Sequence, residues 1–313
     1  MTLHAVDRDT APDQTVRPWV MREFRKHTGS ALAGVFGGAA FDEVALAPVA
    51  AAVDRTGRFA GNFADRGVRS GASTMLVFFG DAEDRAAEAE RLKHLHRDVH
   101  GSGKDSFGDV RYSALSPDLW KWIGVSGLLV PIRSFTAATG IRLRDAEREA
   151  AYRMLVAAFA PLDLPSRAAA MPQTYGEATA YYDDMVQNKL ESNPFLEQVV
   201  DGLTRLPLPT LGMSAPMRAA VTPAWLLLRP AAGRFVKVCS FGVMHRRMRE
   251  LTGFRWSRRH DAEFALYTAA LQAAWRLLPD RILLVPLAHN RIQYEKIVAA
   301  YRSVGLESFA PPE

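Results

Sequence analysis

The sequence predicts an all-α protein, a single multi-helix domain. Two observations carry this. Helix-start signals recur along the chain, a polar cap followed by proline or by acidic residues, while alternating strand patterns are nearly absent. Hydrophobic residues fill 48% of the 313 positions and charged ones 23%, which supports a large core and excludes a disordered chain.

Residues 1–17 read as a loose N-terminal tail, where charges interrupt the apolar positions and leave no continuous apolar core for a secretory signal. Helices are expected near 18–31 and 44–54. A third, near 82–100, carries Ala89, Leu92, His96 and Val99 along one stripe at spacings of three and four. Thr74–Phe79 is the one plausible short strand. Ser116-Pro117 opens a helix near 117–139, with Asp118 at its positive end. Asp145, Glu147 and Glu149 acidify the start of 145–160, which Pro161 ends. Thr174 and Glu177 form a capping box for 174–190; Asn193-Pro194 and Thr222-Pro223 open 194–205 and 222–250. Helices near 258–278 and 290–302 complete the domain, taken as 18–305, ahead of a short tail at 306–313. Gly101–Ser113, Pro161–Pro172 and Pro207–Pro216 read as loops.

The charge balance, 39 Lys+Arg against 34 Asp+Glu, gives a net +5 that is almost all arginine. So mild an excess argues against a nucleic-acid partner and is compatible with an anionic substrate or surface. The lone Cys239 excludes an intramolecular disulfide and a cysteine-based zinc or iron–sulfur site. Ile123–Ile132 offers about ten uncharged residues, half of what a spanning helix needs, so no integral membrane span is expected. The chain reads as cytoplasmic. Its oligomeric state is not legible.

The densest chemistry lies in residues 91–100. His96, in the core-facing stripe, reads as a structural imidazole bonded to a backbone carbonyl. His94 is rotated about 200° away and shares a face with Arg91. That face is either solvated, with Asp84, Glu88 and Asp98, or turned toward a cavity. His96 and His100 have the spacing of a helical metal pair but lack a third ligand. His245 reads as part of a solvated basic helix end. Gly34, Gly37 and Gly38 lack the strand and spacing of a dinucleotide fingerprint, and no serine stands on a nucleophile elbow. In the helix after Ser116, Gly124 and Gly127 each cost about 1 kcal/mol against alanine. Such glycines admit either a closely packed neighbour or a flat ligand.

Together these segments resemble the family of bacterial rubber oxygenase (latex-clearing protein) and the fungal mpaB-type oxygenases. The resemblance rests on Arg91 through His100-Gly101, on Gly108 and Arg111-Tyr112-Ser113-Ala114-Leu115-Ser116-Pro117, and on Trp122-Ile123. Pro172, Tyr181-Tyr182-Asp183-Asp184-Met185 and Leu251-Thr252-Gly253-Phe254-Arg255-Trp256 extend it over roughly 30–290. It implies a globin-like helical core holding haem b and dioxygen-dependent cleavage of carbon–carbon double bonds in an apolar substrate. The family's proximal haem ligand is the histidine of its Trp-Val-His segment; here that position is Gly124. The lysine that can coordinate the opposite haem face in rubber oxygenase is matched by His94, and a pocket arginine by Arg91. The resemblance therefore implies a haem b oxygenase with His94 as iron ligand, Gly124 leaving the other face open to dioxygen or substrate, and Arg91 and Tyr112 retained from the pocket. The alternative is a member that has lost haem and performs non-oxidative isomerisation or cyclisation of an apolar small molecule, with His94 as acid/base. A third is a small-molecule binding protein.

Overall fold

The computed structural model describes residues 15–55, 59–205, 208 and 213–305, the side chains of 60–62 excepted. The tail at 306–313, most of that at 1–17 and half of the loop Pro207–Pro216 lie outside them. The architecture is all-α with one small hairpin: α1 (Pro18–Thr28), α2 (Ala47–Asp54), α3 (Phe59–Phe79), α4 (Ala82–Arg97), β1 (His100–Ser102), β2 (Arg111–Ser113), α5 (Pro117–Thr139), α6 (Asp145–Phe159), α7 (Tyr175–Asn188), α8 (Pro194–Gly202), α9 (Ala215–Val243), α10 (Arg246–Leu251), α11 (Arg258–Leu277), α12 (Asp280–Leu283) and α13 (Pro286–Ser303).

Helix α5 is the axis. Ser116 Oγ accepts the Leu119 N–H at 3.4 Å, Pro117 fills the first turn, and Gly140 at φ 78° closes the far end. Between them α5 buries Trp122, Val125, Leu128, Leu129, Ile132 and Phe135. It packs against α1, α6, α7, α9, α11 and the segment Ala31–Ala45. That segment is a fifteen-residue 3₁₀ run capped by Ser30, whose hydroxyl accepts the Ala33 N–H at 3.2 Å. Side chains three apart eclipse in a 3₁₀ helix, so such a length needs small residues, and Gly34, Gly37, Gly38 and five alanines supply them. A Cβ on Gly38 would lie 2.8 Å from Ser240 Oγ of α9, so that glycine also sets the approach of the two elements.

Several expected boundaries change. Thr74–Phe79 is the last turn and a half of α3, not a strand; a short apolar run carries no period of its own, and here the residues before it continue the helix. The expected loop 101–113 holds the β1–β2 hairpin, paired His100↔Ser113, Gly101↔Tyr112 and Ser102↔Arg111. The helix expected near 222–250 begins at Ala215, ends at Val243 and restarts at Arg246 as α10. The one near 290–302 begins at Pro286, a proline in the first turn as elsewhere. The Thr174 cap forms, but Glu177 accepts from the Gln173 N–H rather than returning to Thr174. Arg17, placed in the tail, is anchored: its backbone N–H, Nε and Nη2 all donate to the fully buried Glu147. No single described helix is long and apolar enough to cross a membrane; Ala31–Ala45 and Ala47–Asp54 meet that test only together, bent by 108°.

Candidate functional site

Between His27 and Asp54 the only charged residues are Asp42 and Glu43, near the end of the 3₁₀ run. The fold carries both inward. Their backbone is fixed by Asn193 Nδ2 donating to the Val44 carbonyl at 2.9 Å and by Glu191 N–H donating to the Ala45 carbonyl at 3.0 Å. Asp42 is 1% exposed; its Oδ2 accepts the Tyr182 hydroxyl of α7 at 2.7 Å, and its Oδ1 has no partner. Glu43 keeps a partly exposed residue surface, but its carboxyl is enclosed. Oε1 accepts from Ser126 Oγ at 3.3 Å and would lie 3.9 Å from a Cβ on Gly127. The indole of Trp122 donates to the Glu43 carbonyl at 3.3 Å and stacks on Tyr182 with ring centroids 5.5 Å apart. The Arg133 guanidinium sits 3.7 Å from the centre of the other partner's ring, that of Tyr182.

This setting sets the protonation states. Burial pushes the Asp42 carboxyl up to about 6, against the lowering pull of the Tyr182 hydroxyl and Arg133. Burial, reinforced by the neighbouring Asp42 charge, pushes Glu43 up to about 8, so it is a neutral acid at pH 7. Tyr182 is driven above the ordinary phenol range by burial and by Asp42, and stays a donor. The cluster thus sets a proton-holding carboxylic acid beside a hydrogen-bonded Asp–Tyr pair. His245 stands at its edge. Expected in a solvated helix end, it is partly covered, with its ring 6.3 Å from that of Tyr182, its Nδ1 accepting the Arg247 N–H and its Nε2 3.9 Å from Asp183.

The residues expected from α4 are placed differently. His94 is exposed, and its imidazole makes no hydrogen bond among the described residues. Arg91, half exposed, donates from Nε to Glu88 Oε2 at 2.7 Å and is also bound through Nη2. Glu88, expected on a solvated face, is buried, because Arg91 and the Ser73 hydroxyl satisfy its carboxylate. His96 meets its expectation: Nδ1 lies 2.7 Å from the Leu92 carbonyl and the ring stands edge-on to Trp120. Tyr112 lies in β2 with its ring over Gly101, whose positive φ makes room for the phenol.

At Gly124 the neighbouring space holds two side chains. A Cβ there would meet Met171 Sδ at 3.0 Å, Met171 Cε at 3.2 Å and Phe159 Cζ at 3.2 Å. The loop Pro161–Pro172 delivers Met171, which is 4% exposed, into the space that a side chain at 124 would need. Met171 and Phe159 pack closely against this glycine.

Sequence reasoning passed over Asp42, Glu43, Arg133 and His27. The isolated acidic pair in an apolar run was the available signal for the first two. His27 is fully buried, its Nε2 3.1 Å from Ser134 Oγ and its Nδ1 unpartnered, and burial pushes it down to about 3, so the imidazole is neutral. Among the described residues no three His, Cys, Asp or Glu side chains converge as a metal site.

Residues 22–273 match the family model described as ER-bound oxygenase mpaB/B'/Rubber oxygenase, catalytic domain. No curated protein and no solved structure matches the chain. The matched span covers most of the chain and includes α5, the acidic pair and Tyr182, and the chain accordingly belongs to the mpaB/rubber oxygenase catalytic-domain family.

Proposed function

We propose that this chain is a cytoplasmic small-molecule enzyme of that family, acting on an apolar substrate by proton transfer from Glu43 and to the Asp42–Tyr182 pair, with no haem ligand at position 124. The observation that carries this reading is the occupation of the space beside Gly124 by Met171 and Phe159. No step is therefore routed through haem. Glu43 holds its proton at neutral pH and donates it to a substrate carbon; Asp42, near its own titration point, accepts a proton lost from an adjacent carbon. One proton enters and one leaves, so the change is an isomerisation or cyclisation without net oxidation. The Tyr182 hydroxyl orients Asp42, and the Trp122 indole holds the Glu43 carbonyl in place. The substrate is a small apolar molecule, and nucleic acid has no part in the reaction.

The second reading is the oxygenase that the family name implies: haem b ligated by His94, with dioxygen as co-substrate. It is favoured by the exposed His94 imidazole, free of hydrogen-bond partners among the described residues. Absorbance of protein expressed with haem supplied separates the two. Proton-transfer chemistry expects no Soret band near about 400–415 nm, and product formation without oxygen uptake that Glu43→Gln abolishes. A stoichiometric Soret band that His94→Ala removes, with strictly oxygen-dependent product, overturns the first reading in favour of the second.

A further inference from the structure

Helix α9 is inverted over its first half. Its buried residues, Gly233 and Val238 through Phe241, all lie in the second half, which packs on Ala31–Ala45, Leu203–Arg205 and α11. Along Ala215–Ala231 the polar side chains are Arg218, Thr222 and Arg229, which share one stripe with Trp225 at spacings of four, three and four. That stripe is the half-buried one. The opposite face centres on Leu227, 82% exposed, flanked by Leu228 at 62%, Met217 at 52% and Leu226 at 48%. A helix resting on a soluble protein turns its polar residues to water; this one turns an unbroken apolar face outward over about 25 Å, at 1.5 Å per residue. A contiguous patch of that kind marks a docking surface.

Charge selects the occupant. Between Asp201 and Glu250 the chain has eight arginines and lysines, Arg205 to Arg249, and no acidic residue. Neither Arg218 nor Arg229 has a carboxylate within ion-pair distance among the described residues. A second copy seated two-fold on this face would set two cationic segments against each other without an acid to pair them. An anionic bilayer supplies both an apolar phase for the leucines and phosphates for the arginines. We propose that the first half of α9 docks the protein on anionic lipid surfaces, its Leu226–Leu228 face sunk at the headgroup–acyl boundary. Arg218 and Arg229, on the stripe away from the acyl chains, lie at headgroup level with their stems along the protein. The helix lies in the interface and does not cross it.

Co-sedimentation of the full chain with sucrose-loaded vesicles tests this, comparing phosphatidylcholine alone with phosphatidylcholine containing about 30% phosphatidylglycerol. The wild type is expected to pellet with the anionic vesicles and to bind about tenfold more weakly to neutral ones or at about 0.5 M salt. Leu227→Gln/Leu228→Gln, at positions exposed to water, should reduce binding at least about tenfold while the helical circular dichroism stays unchanged. Arg218→Gln/Arg229→Gln should lower the preference for anionic lipid while leaving residual binding. A wild type that stays in the supernatant with both vesicles, or binding indifferent to the leucine substitutions, overturns the proposal. A concentration-dependent dimer abolished by the leucine substitutions overturns it in favour of a second copy.

Discussion

Replacing Glu43 with glutamine keeps the volume and the acceptor that faces Ser126 Oγ but removes the ionisation. In the wild type the unfolded chain gives up this proton near 4.5, while the folded protein holds it to about 8. Because the folded-state value is raised, the stabilisation is fully present below the unfolded value and is withdrawn as pH rises toward the folded one. At about 1.4 kcal/mol for each pH unit between the two, of the order of 5 kcal/mol is lost across that window. Asp42, raised from 3.8 to about 6, adds to the loss in the lower part of the window, and its charge accounts for some of the Glu43 displacement. Glu43→Gln is therefore expected to unfold at nearly the wild-type denaturant midpoint at pH 5 and to exceed wild-type stability by a few kcal/mol at pH 9. Urea unfolding followed by tryptophan fluorescence at half-unit pH steps measures the difference, with the slope against denaturant checked for constancy. A stability difference flat to within about 0.5 kcal/mol from pH 5 to pH 9 would refute the assignment of Glu43 as a buried, proton-holding acid.

Three further outcomes are expected. Gly124→His should destabilise by about 1–3 kcal/mol through overpacking against Met171 and Phe159, and Met171→Ala added to it should recover part of that loss in thermal unfolding. His94→Ala, at an exposed and unbonded position, should leave stability within about 0.5 kcal/mol, whereas His96→Ala should cost about 1 kcal/mol by removing the bond to the Leu92 carbonyl. Glu147→Gln should cost about 3 kcal/mol, since it strips the charge that Arg17 and the Arg144 N–H satisfy in a buried site. Glu147 is held down to about 2 by these bonds, so the wild-type advantage over Glu147→Gln is present above pH 4.5 and should fade as pH falls toward 2 in acid-unfolding curves.

Local rules made the helices legible: a cap, a proline and a period are each settled within a few residues, so α5, α6, α7 and α8 start where the chain announces them. The stripe of Ala89, Leu92, His96 and Val99 was readable for the same reason, as was the role of His96. The run Thr74–Phe79 misled because five apolar residues after a threonine fit either period, and only its continuity with α3 decides. The cavity reading of Arg91 turned on Glu88, which a helical wheel places near solvent and the fold buries under α3 through Ser73.

The departure at Gly124 was visible in the sequence, and so was the isolated acidic pair Asp42-Glu43. Their meanings were not. Whether a glycine admits a ligand or a neighbour depends on what a loop forty-seven residues away delivers, and Met171 delivers a thioether. Whether two carboxylates are surface charges or a buried acid depends on Tyr182 and Ser126, contributed by other helices. The sequence by itself determined the all-helical class, the starts of α5 to α8 and the family, because these rest on short-range pattern. Only the tertiary structure decided protonation, occupancy and exposure. Desolvation and van der Waals contact act through space between elements brought together by folding, as they do at Gly124, at Glu43 and along the uncovered leucines of α9.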